Sequence, residues 1–478
     1  MSMWGAIYSS TRAALSSHTM RMAKLQEQVA SGARINRVSD DPADAHRILQ
    51  LRAQSESLDR YAKNLQEVTR TLEVGHSITQ QVSDELRSVL QKLEQAASAT
   101  YNQDIRQVLG QTLDSVVEQV LALANTSNLG QYIFAGDKAA TKPYVAQTDG
   151  DYITSVEYQG GRDNLPAPVA PGVEVPGALV ADKLFRTDDR RRPEFLGNTG
   201  AAAGAGTSSA RGNLYLELTH KETTVVSDPD GVNLQMSADP QVTDTILGRY
   251  DLIVDVTQNS IQFVGGPVTT FAGTETALAV ANAEGDVVYV DVSALNGLLP
   301  GPATVTIQSD GYLSIDADVP PVELTDFTDD TVAVLDSAGR VLYVDARGIE
   351  RTGLAPVEVP GTFDLFGTLI HAGQVLRNDR GLSESDQKDL LRNSIEAVRE
   401  VIGCVTRGMT SLGARLEALD SLNTSLENIK ASADDQAGML ENADLVEVAA
   451  GLARTQTLYE MTLATTARLM SLSLLDYL

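Results

Sequence analysis

The sequence predicts a mixed, multi-domain fold: a long α-helical, coiled-coil-like bundle formed by both chain ends, with a β-rich module inserted in the middle. Three observations carry this prediction. At both ends the apolar residues recur in alternating steps of three and four, the period of helices that pack along their length. Between them, residues 143–365 hold Gly-centred turn signals that separate short alternating runs, the pattern of strands. The charge divides at the same places. The middle carries 33 Asp and Glu against 12 Lys and Arg, so −21 of the net −27 lies within it.

The N-terminal elements follow in order. Residues 12–30 place Leu15, Met22 and Val29 seven apart with Leu25 between them, and Gly32 suits a C-terminal cap. Asp41 suits an N-cap, Pro42 the first helical position and Asp44 the positive end of the helix dipole. From there Ile48, Leu51, Ser55, Leu58, Ala62, Leu65, Thr69 and Leu72 keep the three–four alternation, and Val82, Leu86, Val89 and Leu93 continue it. After a polar break at Asn102, Ile105, Leu109, Leu113, Val116 and Val120 mark another helix over 104–125.

The C-terminal stripe is longer. Leu391, Ile395, Val398, Ile402, Val405, Met409, Leu412, Leu416, Leu419, Asn423 and Leu426 hold the alternation, with Ser383 and Asp386 offering a cap before it. A helix over 386–430 is roughly 65 Å long at about 1.5 Å per residue. It cannot bury its stripe within a small globule and needs a partner of similar length. The helix over 42–100 is that partner. Leu51, Leu58, Leu65 and Leu72 on one side and Ile402, Met409 and Leu416 on the other are expected to form the seam of the helical core. A last helix over 441–474 has Leu445, Val448, Leu452, Tyr459 and Leu469 on one face, with Val446, Ala449, Ala450, Leu463 and Leu474 around it. One face can pack on its own chain. The second needs another subunit, or a chaperone that covers it beforehand, so Leu445, Leu452, Tyr459, Leu469, Leu472 and Leu475 are the expected assembly or chaperone surface.

In the middle, Asp149-Gly150, Asp228-Pro-Asp-Gly231, Asp310-Gly311 and Ala338-Gly339 read as turns. Leu252–Val256 and Ala303–Ile307 read as strands, and the Gly/Ala run 200–206 as a flexible loop or linker. Gly285–Asp291 resembles Gly339–Asp345, 54 residues on. These are two similar hairpin strands or, alternatively, a duplicated β subdomain. The expected domains are an N-terminal assembly segment (1–40, partly disordered when free), N-terminal core helices (41–142), the inserted acidic β module (143–365), a long C-terminal core helix (366–440) and a C-terminal assembly helix (441–478). Trp4, Ile7, Leu472 and Leu475 have no obvious partner within the chain, so both ends are expected to be poorly ordered before assembly.

Signals for chemistry are weak. No two of His18, His46, His76, His220 and His371 have metal-ligand spacing, and no phosphate loop or nucleophile elbow occurs. Cys404, inside the long helix, reads as a structural thiol, and the single Cys rules out an intramolecular disulfide. Asp228-x-Asp230-Gly231 is a fragment of a calcium loop and reads better as a turn. No catalytic, cofactor-binding or metal residue is expected. No Lys or Arg occurs between Arg249 and Arg340, and such an acidic surface repels phosphate backbones and anionic lipids, so neither nucleic acid nor membrane is expected as a partner. The first residues lack the charged and apolar regions of a cleaved secretion signal.

Gln26–Asn36 followed by Ser39-Asp-Asp-Pro42 resembles the N-terminal signature of the flagellin superfamily, with Arg34, Ile35, Asn36, Asp40, Asp41 and Pro42 at the matching places. Gly130-Gln-Tyr-Ile-Phe-Ala-Gly136 resembles the family's motif where helices hand over to the first hairpin. Leu472-Ser-Leu-Leu-Asp-Tyr-Leu478 and the Pro after Asp41 resemble the branch that joins hook to filament. The resemblance covers about residues 1–145 and 365–478, and the middle matches nothing. It implies a non-enzymatic structural subunit of the bacterial flagellum that self-assembles at the hook–filament junction, with terminal helices lining a tube and the middle facing outward. It further implies export without a cleaved signal peptide through the flagellar type III channel. Its implied partners are copies of itself, hook-associated protein 1, flagellin and an export chaperone. The alternatives are flagellin itself, or a secreted enzyme whose β domain rides on an assembly scaffold.

Overall fold

The structure, a computed structural model, describes residues 3–98, 102–128, 130–150, 152–295, 297 and 301–475, with side chains described from residue 8 to residue 468. The chain opens with α1 (Met3–Ser31), α2 (Pro42–Ala96) and α3 (Gln103–Ala124). Three small hairpins follow: β1 (Ser127–Asn128) with β2 (Gln131–Tyr132), β3 (Tyr144–Asp149) with β4 (Tyr152–Tyr158), and β5 (Pro166–Ala170) with β6 (Val173–Pro176). Then come α4 (Ala181–Phe185), β7 (Glu194–Phe195), β8 (Ala202–Ala203) and β9 (Gly212–Ser227). Next are β10 (Gln235–Met236), β11 (Gly248–Asp255), β12 (Ser260–Phe263), β13 (Thr269–Thr270), β14 (Leu278–Ala281) and β15 (Val287–Asp291). The strands end with β16 (Pro302–Ser314), β17 (Val322–Leu324), β18 (Val332–Leu335), β19 (Val341–Asp345) and β20 (Gly353–Val359). Helices α5 (Leu365–Arg377), α6 (Glu384–Glu441) and α7 (Leu445–Leu475) close the chain. Two compact units result: Met1–Glu73, Leu165–Gly177 and Gly413–Leu478 form the first, Val74–Asn164 and Ala178–Leu412 the second.

The expected caps are in place. Gly32 takes a positive φ of 72°, and its N–H closes on the Gln28 carbonyl at 2.8 Å. Asp41 Oδ1 accepts from the Asp44 N–H at 3.1 Å to start α2. Asn102 accepts from Ile105 at 3.0 Å to start α3, so the polar break there is a helix cap. The Asp386 N–H donates to Ser383 Oγ at 3.2 Å to start α6.

In the first unit the beginning of α2 lies antiparallel to the end of α6. Arg52 grips both Glu441 oxygens at 2.5 and 2.6 Å, and Lys430 reaches Asp59 at 2.8 Å. Leu58, Leu65 and Leu72 are buried on one helix and Leu419, Leu426, Ala433 and Ala437 on the other. This register corrects the expected contacts. With Asp59 beside Lys430, Leu58 sits opposite the stretch near residue 430, and Leu416 is roughly 20 Å further along at about 1.5 Å per residue. Half-buried Leu51 lines a groove with Ser432 and Gln436, while Ile402 and Met409 are half-buried in the second unit. The hairpin β5–β6, expected within the inserted module, belongs to this first unit instead, where Asn64 on α2 donates to the Pro168 carbonyl at 3.0 Å.

In the second unit α3 packs on α5, a helix that the sequence reading did not separate from its surroundings. Arg377 holds Asp114 at 2.6 Å, and buried Arg106 holds Gln387 at 2.9 Å and the Ala96 carbonyl at 3.2 Å. Arg399 reaches Glu94 at 2.7 Å, an antiparallel pairing of α2 with α6 here as well. Two chain segments then form a neck toward the strands: the Thr187, Asp189 and Arg191 N–H groups donate to the Phe363, Gly361 and Pro360 carbonyls at 2.8–2.9 Å.

Beyond the neck the strands form one large antiparallel sheet, in the order β13-β12-β11-β16-β9-β20-β7, with β17 also on β16. Two three-stranded sheets, β10-β15-β14 and β18-β19-β8, complete two separate apolar cores. Leu252, Val254, Val288 and Val290 lie in the distal core, and Leu216, Leu218, Leu342 and Val344 in the proximal one. Two expectations fail here. Asp310-Gly311 is no turn but a bulge inside β16. The run 200–206 is no free linker: Ala202 and Ala203 pair with β19, and a Cβ on Gly206 would come within 2.4 Å of the Tyr343 ring. Small residues are used there for close approach, not for mobility.

Candidate functional site

The signature residues build a clasp within the first unit, where α1 meets α2 and α6 meets α7. The connections are short, so the backbone segments pair directly: Ala33 bridges Asn442, the Arg34 N–H donates to the Glu441 carbonyl at 2.6 Å, and the Ala443 N–H donates to the Gly32 carbonyl at 2.9 Å. Arg34 then crosses the joint with its side chain. Its guanidinium donates to the Leu440 carbonyl at 3.0 Å, to Asp41 at 3.5 Å and to Asp44. A planar group with five donors can serve a helix C-terminal carbonyl and two carboxylates at once, which a lysine cannot.

The other signature residues shape the loop. Asp40 Oδ2 accepts from the Asn36 and Arg37 N–H groups at 3.2 and 3.0 Å, and its other oxygen meets Lys24 at 3.0 Å. Asn36 donates to the Ala33 carbonyl at 3.3 Å, Ile35 is half-buried, and Pro42 opens α2. Buried Gln28 donates to the Arg34 carbonyl at 2.7 Å. Asp444 caps α7, accepting from Val446 and Glu447 at 2.9 and 3.2 Å. Gln28 and Asp444 went unnoticed in the sequence, though an Asp directly before an apolar helix was a readable cap signal.

These contacts polarise the titrations in one direction. The salt bridge from Lys24 and the Arg37 N–H hold Asp40 below the usual carboxylate range. The Asp44 N–H and the Arg34 charge do the same for Asp41. Lys430 and Lys63 push Asp59 down to about 2. Bonding to Asp44 raises Arg34.

From the clasp, α1 and α7 run back antiparallel, with Leu25 on one helix close to Gly451 on the other. Val448 and Thr455 are buried, and Leu452 and Tyr459 on the same face are half-buried. Leu452 and Tyr459, expected on the assembly surface, thus share the face of Val448 and Thr455 and are half-buried within the subunit. Leu445 is exposed, as are Val446 (80%), Leu458, Met461 (61%) and Leu463 on α7 and Met20 and Val29 on α1. Val446 and Met461 lie on the face away from α1, and Leu458 and Met461 were missed in the sequence because apolar residues occur on several sides of the helix. Leu469, Leu472 and Leu475, like Trp4 and Ile7, lie outside the residues whose side chains are described.

Among the described residues no group of three or more His, Cys, Asp or Glu is placed to hold a metal, and no helix is long and apolar enough to cross a membrane. Cys404 is buried, its thiol pushed up by burial, and it donates to the Arg186 carbonyl at 3.2 Å. Asp228 caps its own turn, accepting from Val232 and Asn233 at 2.8 Å.

The ends of the chain are similar to known proteins. The bacterial flagellin N-terminal helical region matches residues 5–139, and the bacterial flagellin C-terminal helical region matches residues 395–478. Flagellar hook-associated protein 3 of Salmonella typhimurium is 30% identical over 143 residues, 30% of this chain and 43% of that protein. The protein of the same description from Escherichia coli is 28% identical over 163 residues, 34% of this chain and 49% of that one. The chain thus aligns with less than half the length of these relatives. Among solved structures, FlgL of Xanthomonas campestris has a TM-score of 0.42 at 17% identity, covering 80% of this chain and 97% of that one.

Proposed function

From the premise that the chain belongs to the flagellin superfamily, we propose that it is a structural subunit of the bacterial flagellum, which self-assembles at the hook–filament junction and adapts the hook to the flagellin filament. The observation that carries this reading is the clasp. The family signature holds both chain ends to each other and presents two long helices that leave Met20 and Val29 on α1 and Val446, Leu458 and Met461 on α7 exposed in the subunit.

Val446 and Met461, exposed on the side of α7 away from α1, are the side chains that a neighbouring subunit covers once assembled. On this reading the partners are copies of the chain itself, hook-associated protein 1 on the hook side and flagellin on the filament side. An export chaperone covers the C-terminal helix before assembly, and the subunit leaves the cell through the flagellar export channel without a cleaved signal peptide. The acidic strand module takes no part in the joint. The test is a strain lacking this chain, imaged by electron microscopy. Hooks without filaments, with flagellin shed into the medium and filaments restored by the intact gene, are expected. Normal filaments in the deletion strain would refute the proposal.

A further inference from the structure

The near-repeat in the sequence is the visible part of a larger correspondence. Residues 274–295 align without a gap on residues 328–349, a constant offset of 54 (328 minus 274). Both segments form hairpins with the same pairing, Leu278 opposite Val290 in β14–β15 and Val332 opposite Val344 in β18–β19. Their turns are chemically alike. Asn282 Oδ1 accepts from the Glu284 and Asp286 N–H groups at 3.0 and 2.8 Å, and Asp336 Oδ1 accepts from Ala338 and Arg340 at 3.0 and 2.8 Å.

The correspondence continues into the large sheet. A hydroxyl receives the first N–H of each second hairpin strand: Thr245 Oγ1 from Val287 and Ser209 Oγ from Val341, both at 2.8 Å. Three residues after each hydroxyl, a glycine of positive φ opens a long strand, Gly248 for β11 and Gly212 for β9. Each strand then buries alternate residues, Leu252 and Val254 in one and Leu216 and Leu218 in the other. The short edge strands β10 and β8 pair with β15 and β19 in the same register. On one side β11 pairs with β12, which pairs with β13; β9 pairs with the end of β16, which pairs with β17. On the other side β11 pairs with the beginning of β16, and β9 with β20.

We infer that the strand module is one seven-stranded β unit present twice, the distal copy nested in the turn between the second and third strands of the proximal copy. The bulge at Asp310/Gly311 marks the joint in β16, where the last strand of the distal copy becomes the third strand of the proximal one. The register locates the graft. In the distal copy Asp255 pairs with Ser260, closed by the four residues Val256–Asn259. In the proximal copy the equivalent pair is Thr219 and Tyr312, and the whole distal copy stands between them. Each copy has its own apolar core, and the one residue of the grafted segment buried in the proximal core is Leu247; each copy therefore folds as a unit, the proximal one losing that single side chain when the distal copy is removed.

Two variants test this by hydrogen exchange. In the first, residues 220–311 are replaced by Val-Thr-Gln-Asn, the distal copy's own turn. Residues 202–219 and 312–359 are expected to stay protected from exchange, at a level lowered by the loss of Leu247 from the proximal core. In the second, Val254→Asp in the full chain places a charge in the distal core. Protection is expected to vanish over 228–309 and to persist over 312–359. A deletion protein without protection in 202–219, or a Val254→Asp protein that loses protection in both copies, would overturn the inference.

Discussion

Arg34 concentrates the polar contacts of the clasp, yet its side chain is partly open to water, so its loss is a local event. Arg34→Met keeps the stem and removes the bonds to the Leu440 carbonyl and the two carboxylates. A cost of about 1 kcal/mol is expected, seen as faster proteolysis at 32–41 and 442–444 with unchanged exchange in the second unit. Asp40 and Asp41 give the clasp its pH dependence. Their folded pKa values lie below the unfolded ones, so their contribution is complete above about pH 4 and lost as pH falls through the folded values. The terminal helices are expected to loosen below about pH 4 and to be insensitive between pH 5 and 8. Glu358 behaves oppositely. Burial, with Glu194 beside it, pushes it up to about 7, so the stability tied to its proton is complete below about pH 4.5 and lost as pH rises toward 7. Glu358→Gln is expected to raise stability at pH 8 by about 1–3 kcal/mol and to change little at pH 4.5. Urea midpoints at the two pH values decide it, and an equal shift at both would contradict the assignment.

At the scale of elements, α7 separates inner from outer. Leu452→Asp with Tyr459→Asp places charges in the seam against α1 and is expected to unpair the terminal helices even in the isolated subunit, lowering its helical circular dichroism. Val446→Asp with Met461→Asp is expected to leave that signal unchanged and to abolish assembly. Normal incorporation of the outer pair would show that this face is not covered by a neighbour. Leu65→Ala, in the seam between α2 and α6, is expected to cost about 2–5 kcal/mol. The heptads made these helices legible, because a three–four stripe fixes which face is buried. They did not make the register legible, since every heptad resembles the next. Pairs such as Arg52–Glu441 and Lys430–Asp59 mark it, and each is 371 or more residues apart in sequence. The faces of α7 were hard to tell apart for a related reason: apolar residues occur on several sides of it, so the pattern alone does not say which side meets its own chain. In the strands, the Gly/Ala run and Asp310-Gly311 carried turn-like composition that tertiary pairing with β19 and β9 overrode. The signature residues were found, but their mechanical role as a clasp depends on Leu440 and Glu441, at the other end of the chain.

For the whole molecule, the proposed reading gives the joining to the paired ends and leaves the strand module out of it. The neck defines where that module can be removed: Arg191 and Pro360 are already hydrogen-bonded neighbours, and Glu400 on α6 pins the neck through Arg191 at 2.7 Å and the Gly361 N–H at 3.0 Å. Replacing residues 192–359 by a short Gly/Ser linker is expected to retain filament attachment and part of the motility. A deletion over the full 143–365 span also removes the hairpins that rest on the helices and is expected to do worse. The most direct measurement of a place at the junction is immunogold electron microscopy of intact flagella with an antibody against the strand module. Label confined to a short band between hook and filament is the predicted result. Label along the whole filament, or absent from the flagellum, would contradict it.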